Sequence, residues 1–417
     1  MYKIILFAIL FFNFFMASAK DFVGKLSASA ASSKLATLEI NAKRVTTSFG
    51  EFLVIEDTVL SGLIKNKLSD DLFEYIEPNY SYHVDVNDTL PVLDPMFSRQ
   101  WGLRNTGKNV EQSLLRGKKG MDIDALRAWT ITTGKKSVKI AIIDTGVDYT
   151  HPDLLSNMWV NEEEKNGLMG VDDDENGYID DIHGYNFVNN SGDPQDDYGH
   201  GTHCAGVIGA SHDTIGISGV MAQVSLVAIK FLNQEGVGSL ENALKSIQYA
   251  IDIGADIMSN SWGGFDESAA LAEAIRAAET AGIVFVVAAG NSMSNNDKKP
   301  VWPSNYAMSN VISVGAMNGQ GGRSYFSNFG EKSVHIFAPG SNILSTYKTG
   351  GYYLSSGTSM ATPFVAGMVG LLLSHQAKLN PQEVRDRLID TAEKSFKLDK
   401  SVAGGRANAY RLLSDTR

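Results

Sequence analysis

Cysteine is nearly absent from this chain: among 417 residues there is one, Cys204. A single thiol excludes an internal disulfide framework and any cysteine-rich zinc site. A chain this long can bury a sufficient core without such cross-links, so the lack does not argue against export. Basic patches are missing too. Lys and Arg total 36 against 47 Asp and Glu, a net charge of -11, and no Lys/Arg-rich run occurs. That argues against nucleic acid as a partner. An apolar run opens the chain, where Lys3 precedes Ile4 to Met16, broken only by Asn13, and no later stretch is long and apolar enough to span a bilayer. Ala17-Ser18-Ala19 follows. This charged, apolar, small-residue order is that of a secretory signal, and the run falls short of the roughly 20 residues a spanning helix needs. The expectation is a signal peptide over 1–19, cut after Ala19, and a secreted product, extracellular or periplasmic, with no membrane attachment afterwards. No internal repeat is evident.

What is present divides in two. From Lys20 to about His83 short amphipathic pieces read as a small α+β domain, with Tyr75 to Tyr80 an extended segment ending in a turn. Asp85 to Pro95, with two prolines, reads as a linker. From Val138 onward strands alternate with helical periods. Val138–Ile143, Val224–Ile229, Ile257–Ser259, Ile283–Ala288 and Val311–Val314 read as strands. Leu240, Leu244, Ile247 and Ile251 fall at helical spacing between the Ser239 cap and Gly254. Leu271, Ile275 and Ala278 mark a second helix, ended by Gly282, and Asn380-Pro381 with Glu383 opens another. The alternation predicts an α/β fold: a three-layer, doubly wound, mostly parallel sheet with function at the carboxyl ends of its strands.

Four positions carry candidate chemistry. Asp144 ends a strand in Ile142-Ile143-Asp144-Thr145-Gly146; alone it reads equally as a turn aspartate or half of an aspartic-protease dyad. His203 lies in the glycine-rich stretch Gly199-His200-Gly201-Thr202-His203-Cys204-Ala205-Gly206 and is taken as the functional histidine. His200, His151, His183 and His212 are taken as structural. Ser359, in Ser356-Gly357-Thr358-Ser359-Met360-Ala361-Thr362-Pro363, precedes an apolar helical run. A helix N-terminus there favours developing negative charge, though a plain capping serine would look the same. Asn291 follows Ala288-Ala289-Gly290 after another buried strand, where its amide would donate to an oxyanion or serve a turn.

The order acid, base, oxyanion donor, nucleophile is that of subtilisin and of neither α/β-hydrolases nor chymotrypsin-like enzymes. With these motifs the chain resembles the subtilisin-like (subtilase) serine peptidases from about Gln100 to the C-terminus. Cys204, directly after the histidine, resembles the thiol-containing branch typified by proteinase K and thermitase. The resemblance implies a secreted endopeptidase with an Asp144/His203/Ser359 triad and an oxyanion hole at Asn291. It implies a substrate groove at Ser261-Trp262-Gly263 and Ala288-Ala289-Gly290, of broad specificity with an apolar preference. Its partners would be protein and peptide substrates, the enzyme acting as a monomer. It further implies that 20–83 is a propeptide acting as intramolecular inhibitor, with 84–417 the peptidase domain and the cut between about His83 and Leu93.

A second signal is acidic. Residues Asp172 to Asp181 hold six carboxylates and no base. Asp172, Asp174 and Asn176 alternate before Gly177, which is the opening of a calcium loop. The twelfth position is His183, so this is no EF-hand; Asp181 and the Tyr178 carbonyl would close a shorter structural Ca2+ site. The alternative reading is a solvated acidic loop. Three rivals remain for the whole: an aspartic protease, for which no second Asp-Thr-Gly exists, a catalytically silent scaffold, and a triad-based ligase or cyclase.

Overall fold

A computed structural model describes residues 21–27, 42–47, 50–65, 72–78, 94–113 and 116–415. The expected signal segment, Asn79-Tyr80 and most of the expected linker lie outside the described residues. The chain divides into two compact units at residues 89 and 90.

The first unit is one antiparallel sheet with a helix. Its strands are β1 (Asp21–Leu26), β2 (Lys43–Thr47), β3 (Gly50–Glu56) and β4 (Phe73–Pro78), ordered β2-β3-β1-β4, with α1 spanning Asp57–Lys65. Every second residue of β1 is buried, as a sheet with one covered face requires. Phe22, Leu26, Leu53, Ile55, Leu60, Leu63 and Phe73 share that core. The unit is the expected small α+β domain.

The second unit is built on a nine-stranded sheet. In chain order its strands are β5 (Gly134–Asp144), β6 (Gly184–Asn186), β7 (Gln223–Lys230), β8 (Ile257–Asn260), β9 (Val284–Ala288), β10 (Val311–Met317) and β11 (Ile336–Pro339). A hairpin follows, β12 (Ile343–Tyr347) with β13 (Gly351–Ser355), then the two-residue strands β14 (Glu393–Lys394) and β15 (Gly405–Arg406). The sheet order is β14-β15-β11-β10-β9-β8-β5-β7-β6. All its pairs are parallel except β14 with β15.

The helices used below are α2 (Glu162–Asn166), α3 (His200–Gly209), α4 (Leu240–Asp252), α5 (Ala269–Thr280), α6 (Thr358–His375) and α7 (Pro381–Asp390). Successive residues of β5 face opposite ways. Ile140 and Ile142 pack in one core with residues of α3 and α6. Ala141 and Ile143 pack in a second core with residues of α4 and α5. Two cores on two faces of one sheet make three layers. Helix α6 is apolar all round and almost wholly buried, as a central helix must be. The Ser239 and Asn380 caps fell where the sequence put them, Ser239 accepting from Asn242 and Asn380 forming a capping box with Glu383; Ser268, which the sequence reading did not single out, caps α5 in the same way.

Candidate active site

β9, β8 and β5 are neighbours, so their carboxyl ends bring Asn291, Ser261 and Asp144 to one edge, strand spacings of about 5 Å apart. Asp144 is fully buried, and its Oδ1 accepts from the Thr145 amide at 2.7 Å. The first turn of α3 lies directly on this strand end. A Cβ on Gly201 would sit 2.0 Å from the Gly146 carbonyl oxygen and 3.1 Å from Asp144 Cβ, so only glycine permits the approach.

That approach decides which histidine meets the acid. His200, the first residue of α3, places Nδ1 2.7 Å from Asp144 Oδ1. Its ring is 23% exposed. Burial disfavours the imidazolium, but the Asp144 charge and hydrogen bond outweigh it, with help from Asp196, and the His200 pKa rises above 6.5.

His203 is elsewhere, and the expectation that it is the base is corrected. One turn further along α3 it is 1% exposed, with Nε2 3.1 Å from the carbonyls of Ile343 and of Tyr353. Burial, and then His200, push its pKa down to about 4. It is a neutral N–H donor that ties α3 to the β12–β13 hairpin. Its Nδ1 has no partner, and Asp144 does not reach it.

Ser359 is the second residue of α6 and is half-buried. Its hydroxyl donates to the Ser261 carbonyl at 3.1 Å. Among the described residues no hydrogen bond joins it to either histidine. Pro363, four residues on, has no N–H for the Ser359 carbonyl. That oxygen instead accepts from Ser261 Oγ at 2.9 Å and from the Cys204 thiol at 3.5 Å. The Cys204 sulfur, with one Asp144 oxygen and one His200 nitrogen, forms a set lying within 4.8 Å of one another. The serine is thereby anchored beside the acid–imidazole pair. The thiol is fully buried and its pKa stands well above its usual value, through burial first.

Asn291 Oδ1 accepts from Thr358 N at 2.8 Å and from Thr358 Oγ1 at 3.0 Å. The amide therefore serves α6, whose preceding residue, Gly357, has no side chain to cap with. With Oδ1 so occupied, the Asn291 N–H₂ group faces a cavity of about 180 Å³. Ser261, Trp262, Gly263, Ala288, Gly290 and Ser359 line it, as do Phe265 and Val301, and no charged side chain does. Gly264 and Trp302 pair through two backbone hydrogen bonds and carry Val301 to the site. Ala289 is not a wall residue, contrary to expectation. It is fully buried, points away from Ala288, and its carbonyl accepts from Asn296 and Asn328.

The acidic stretch folds locally. Asp172 accepts from the amides of Asn176 and Gly177, Asn176 Oδ1 accepts from Tyr178 N, and Gly177 has φ 92°. The Tyr178 ring packs on Tyr185, Phe187 and Tyr249. The close carboxylates are Glu164, Asp174 and Asp181, with one oxygen of each within 4.8 Å of the others. Asp172 lies outside that triple, and Glu164, on α2, was not anticipated. Burial pushes the Asp181 pKa up to about 6. All three donors are hard oxygens, the kind of ligand a calcium ion takes. A further oxygen cradle was missed in the sequence. Asp153 is fully buried, its Oδ1 has no partner, and its pKa is pushed up to about 7 by burial, with Asp213 and Asp94 adding to the rise.

The profile described as "Subtilase family" matches residues 135–409. Thermitase of Thermoactinomyces vulgaris is 37% identical over 292 residues, which are 70% of this chain and 93% of that protein. The thermophilic serine proteinase of Bacillus sp. strain AK1 is 33% identical over 367 residues, covering 87% of this chain and 78% of its own. Subtilisin-like protease 1 of Plasmodium berghei is 36% identical over 309 residues, 69% of this chain; the match spans about half, 51%, of that protein's length. The chain belongs to the subtilase family. Within the family it is a serine-type endopeptidase of the thermitase branch. No helix among the described residues is long and apolar enough to cross a membrane.

Proposed function

We propose that the chain is made as a precursor, exported, and matured to an endopeptidase whose triad is Asp144, His200 and Ser359. The observation that carries this is the 2.7 Å contact between His200 and Asp144 at the sheet edge that also holds Ser359. With Nδ1–H directed at Asp144, Nε2 is the bare nitrogen available as base. The Ser359 hydroxyl leaves the Ser261 carbonyl, turns to Nε2, gives up its proton and attacks the scissile carbonyl carbon. The Asn291 amide and the Ser359 N–H hold the oxyanion. His200 then hands the proton to the leaving amine, and water, deprotonated by the same nitrogen, releases the acyl group.

Substrate binds as an extended strand beside Ser261-Trp262-Gly263, so main-chain hydrogen bonds supply sequence-tolerant affinity. The residue before the cut enters the uncharged 180 Å³ cavity. An apolar side chain is favoured there, and Val301 limits its size. Residues 20–83 act as a propeptide that keeps the peptidase inhibited until export, and the mature enzyme works as a monomer. A structural Ca2+ ion is held by Glu164, Asp174 and Asp181, with the Asp172 turn shaping the loop. The ion neutralises clustered carboxylates and plays no part in the bond-breaking steps.

The test is labelling with a serine-directed phosphonate followed by mass spectrometry. Label on Ser359 of a chain that begins near residues 83–93 is expected. A labelled residue elsewhere, or no labelling of active protein, overturns the triad.

A further inference from the structure

We propose that Asp196 is a positioning residue for the acid–base pair, tying the turn after Asp144 to the opening of the helix that carries His200. This rests on the reading of Asp144 and His200 as that pair. Asp196 is 4% exposed and lies on neither element; it belongs to the loop before α3. Its carboxylate takes five hydrogen bonds. Oδ1 accepts from Thr145 Oγ1 at 2.9 Å, from Gly199 N at 2.8 Å and from Tyr198 N at 3.0 Å. Oδ2 accepts from Thr202 N at 2.9 Å and Thr202 Oγ1 at 2.6 Å. Thr145 Oγ1, while donating to Asp196, accepts from Gly201 N at 2.9 Å. One buried carboxylate therefore grips the residue after Asp144 and residues on both sides of His200.

A carboxylate placed only to cap α3 would satisfy the free amides of the first turn and gain from the helix dipole. Asp196 does that, but the bond to Thr145 crosses to another layer of the fold and serves no cap. Burying an ionised carboxylate is costly unless its oxygens are fully bonded, and here they are. A group so tightly held has no freedom to rearrange, which suits a fixed reference between strand end and helix. Its charge also bears on the imidazole. The groups around His200 are Asp144 from β5, Asp196 from the preceding loop, and neutral His203 and protonated Cys204 from its own helix. Lys230 of β7 reaches the Thr145 carbonyl and Asp197, each at 2.7 Å. The two buried carboxylates, Asp144 and Asp196, both raise the His200 pKa.

The experiment compares Asp196→Asn, which removes the charge and turns one acceptor into a donor, with Thr145→Val, which keeps the charge and removes the hydroxyl that joins Asp196 to the strand end and to the Gly201 amide. Concentrations come from titration with the phosphonate, so only folded, mature enzyme is counted. A displaced base costs rate more than affinity, so kcat is expected to fall on the order of 10²-fold in Asp196→Asn with KM nearly unchanged. The acid limb of kcat/KM should move to lower pH, because the cation has lost a neighbouring negative charge. Thr145→Val should lose kcat in the same direction with its acid limb in place. If both variants lose thermal stability alone, with kcat and acid limb as in the parent, the proposal fails and Asp196 is a cap. If Asp196→Asn does not mature, Thr145→Val decides: an unchanged kcat there overturns the bridge. Failure of the triad reading would show differently, as a parent enzyme that the phosphonate does not label on Ser359.

Discussion

The catalytic edge and the acidic loop are assembled in opposite ways. At the edge, Asp144, His200, Ser261, Asn291 and Ser359 come from five separate segments and meet only once the sheet is built. In the loop, Glu164, Asp174 and Asp181 come from eighteen consecutive residues, and the longest reach is from Tyr249, whose hydroxyl lies 2.5 Å from Asp181. The edge spends buried polar groups on geometry: among the described residues Asp144 Oδ2 has no hydrogen-bond partner. The loop gathers negative charge and holds it with amide and hydroxyl donors such as Asn161 and Tyr249. Damage to the first should cost rate, and damage to the second should cost stability.

The sharpest test of that contrast lies within α3. His200→Ala should lower kcat/KM about 10⁴-fold or more while leaving the melting temperature nearly unchanged. His203→Ala should do the reverse: it strands two buried carbonyls, costs on the order of 1–3 kcal/mol of stability, and leaves the folded fraction active. Equal loss of rate in both variants would break the distinction between them. Asn291→Ala, read by steady-state kinetics, should lose about 10²–10³ in kcat through the oxyanion, with a smaller stability cost from the lost helix contact. A normal kcat would remove Asn291 from the site. Val301→Gly should shift preference before the cut toward larger side chains by about 10–200-fold, measured as ratios of kcat/KM on paired peptides. Unchanged ratios would mean that another group sets the depth of the cavity. The smallest effect on rate belongs to the loop. Calcium chelation of the phosphonate-blocked enzyme should lower its melting temperature by roughly 5–10 °C, and Asp181→Asn should abolish that difference. A chelator-independent melting curve would leave the loop as plain solvated acid.

How much of this was legible depends on the range of the interactions. Strands such as Val138–Ile143 and the helix capped by Ser239 follow local periodicity, and both stand in the structure. The four motifs lie together at one edge of the sheet. Choosing between His200 and His203 needed something local pattern lacks. His203 is claimed by the hairpin carbonyls of Ile343 and Tyr353, 140 and 150 residues away. A hint did exist: Gly201 frees the first turn, not the second, to touch the strand end. Ala289 was a failure of alternation, since a residue following Ala288 in an extended chain must face the other way. Glu164 sits in Glu162-Glu163-Glu164, a run that reads as a solvated helix face. It is buried at 3% exposure because the loop folds back to donate the amides of Asp173, Asp174 and Asp180 to it.

The parallel sheet also gives the peptidase a back. The turns at Gly254 and Gly282 precede β8 and β9, so each stands a full strand, about 15 Å, behind the residues that do the cutting. Both turns are exposed and neither touches the groove. An affinity handle, a fluorophore or a solid support grafted there would leave the working side open to large protein substrates.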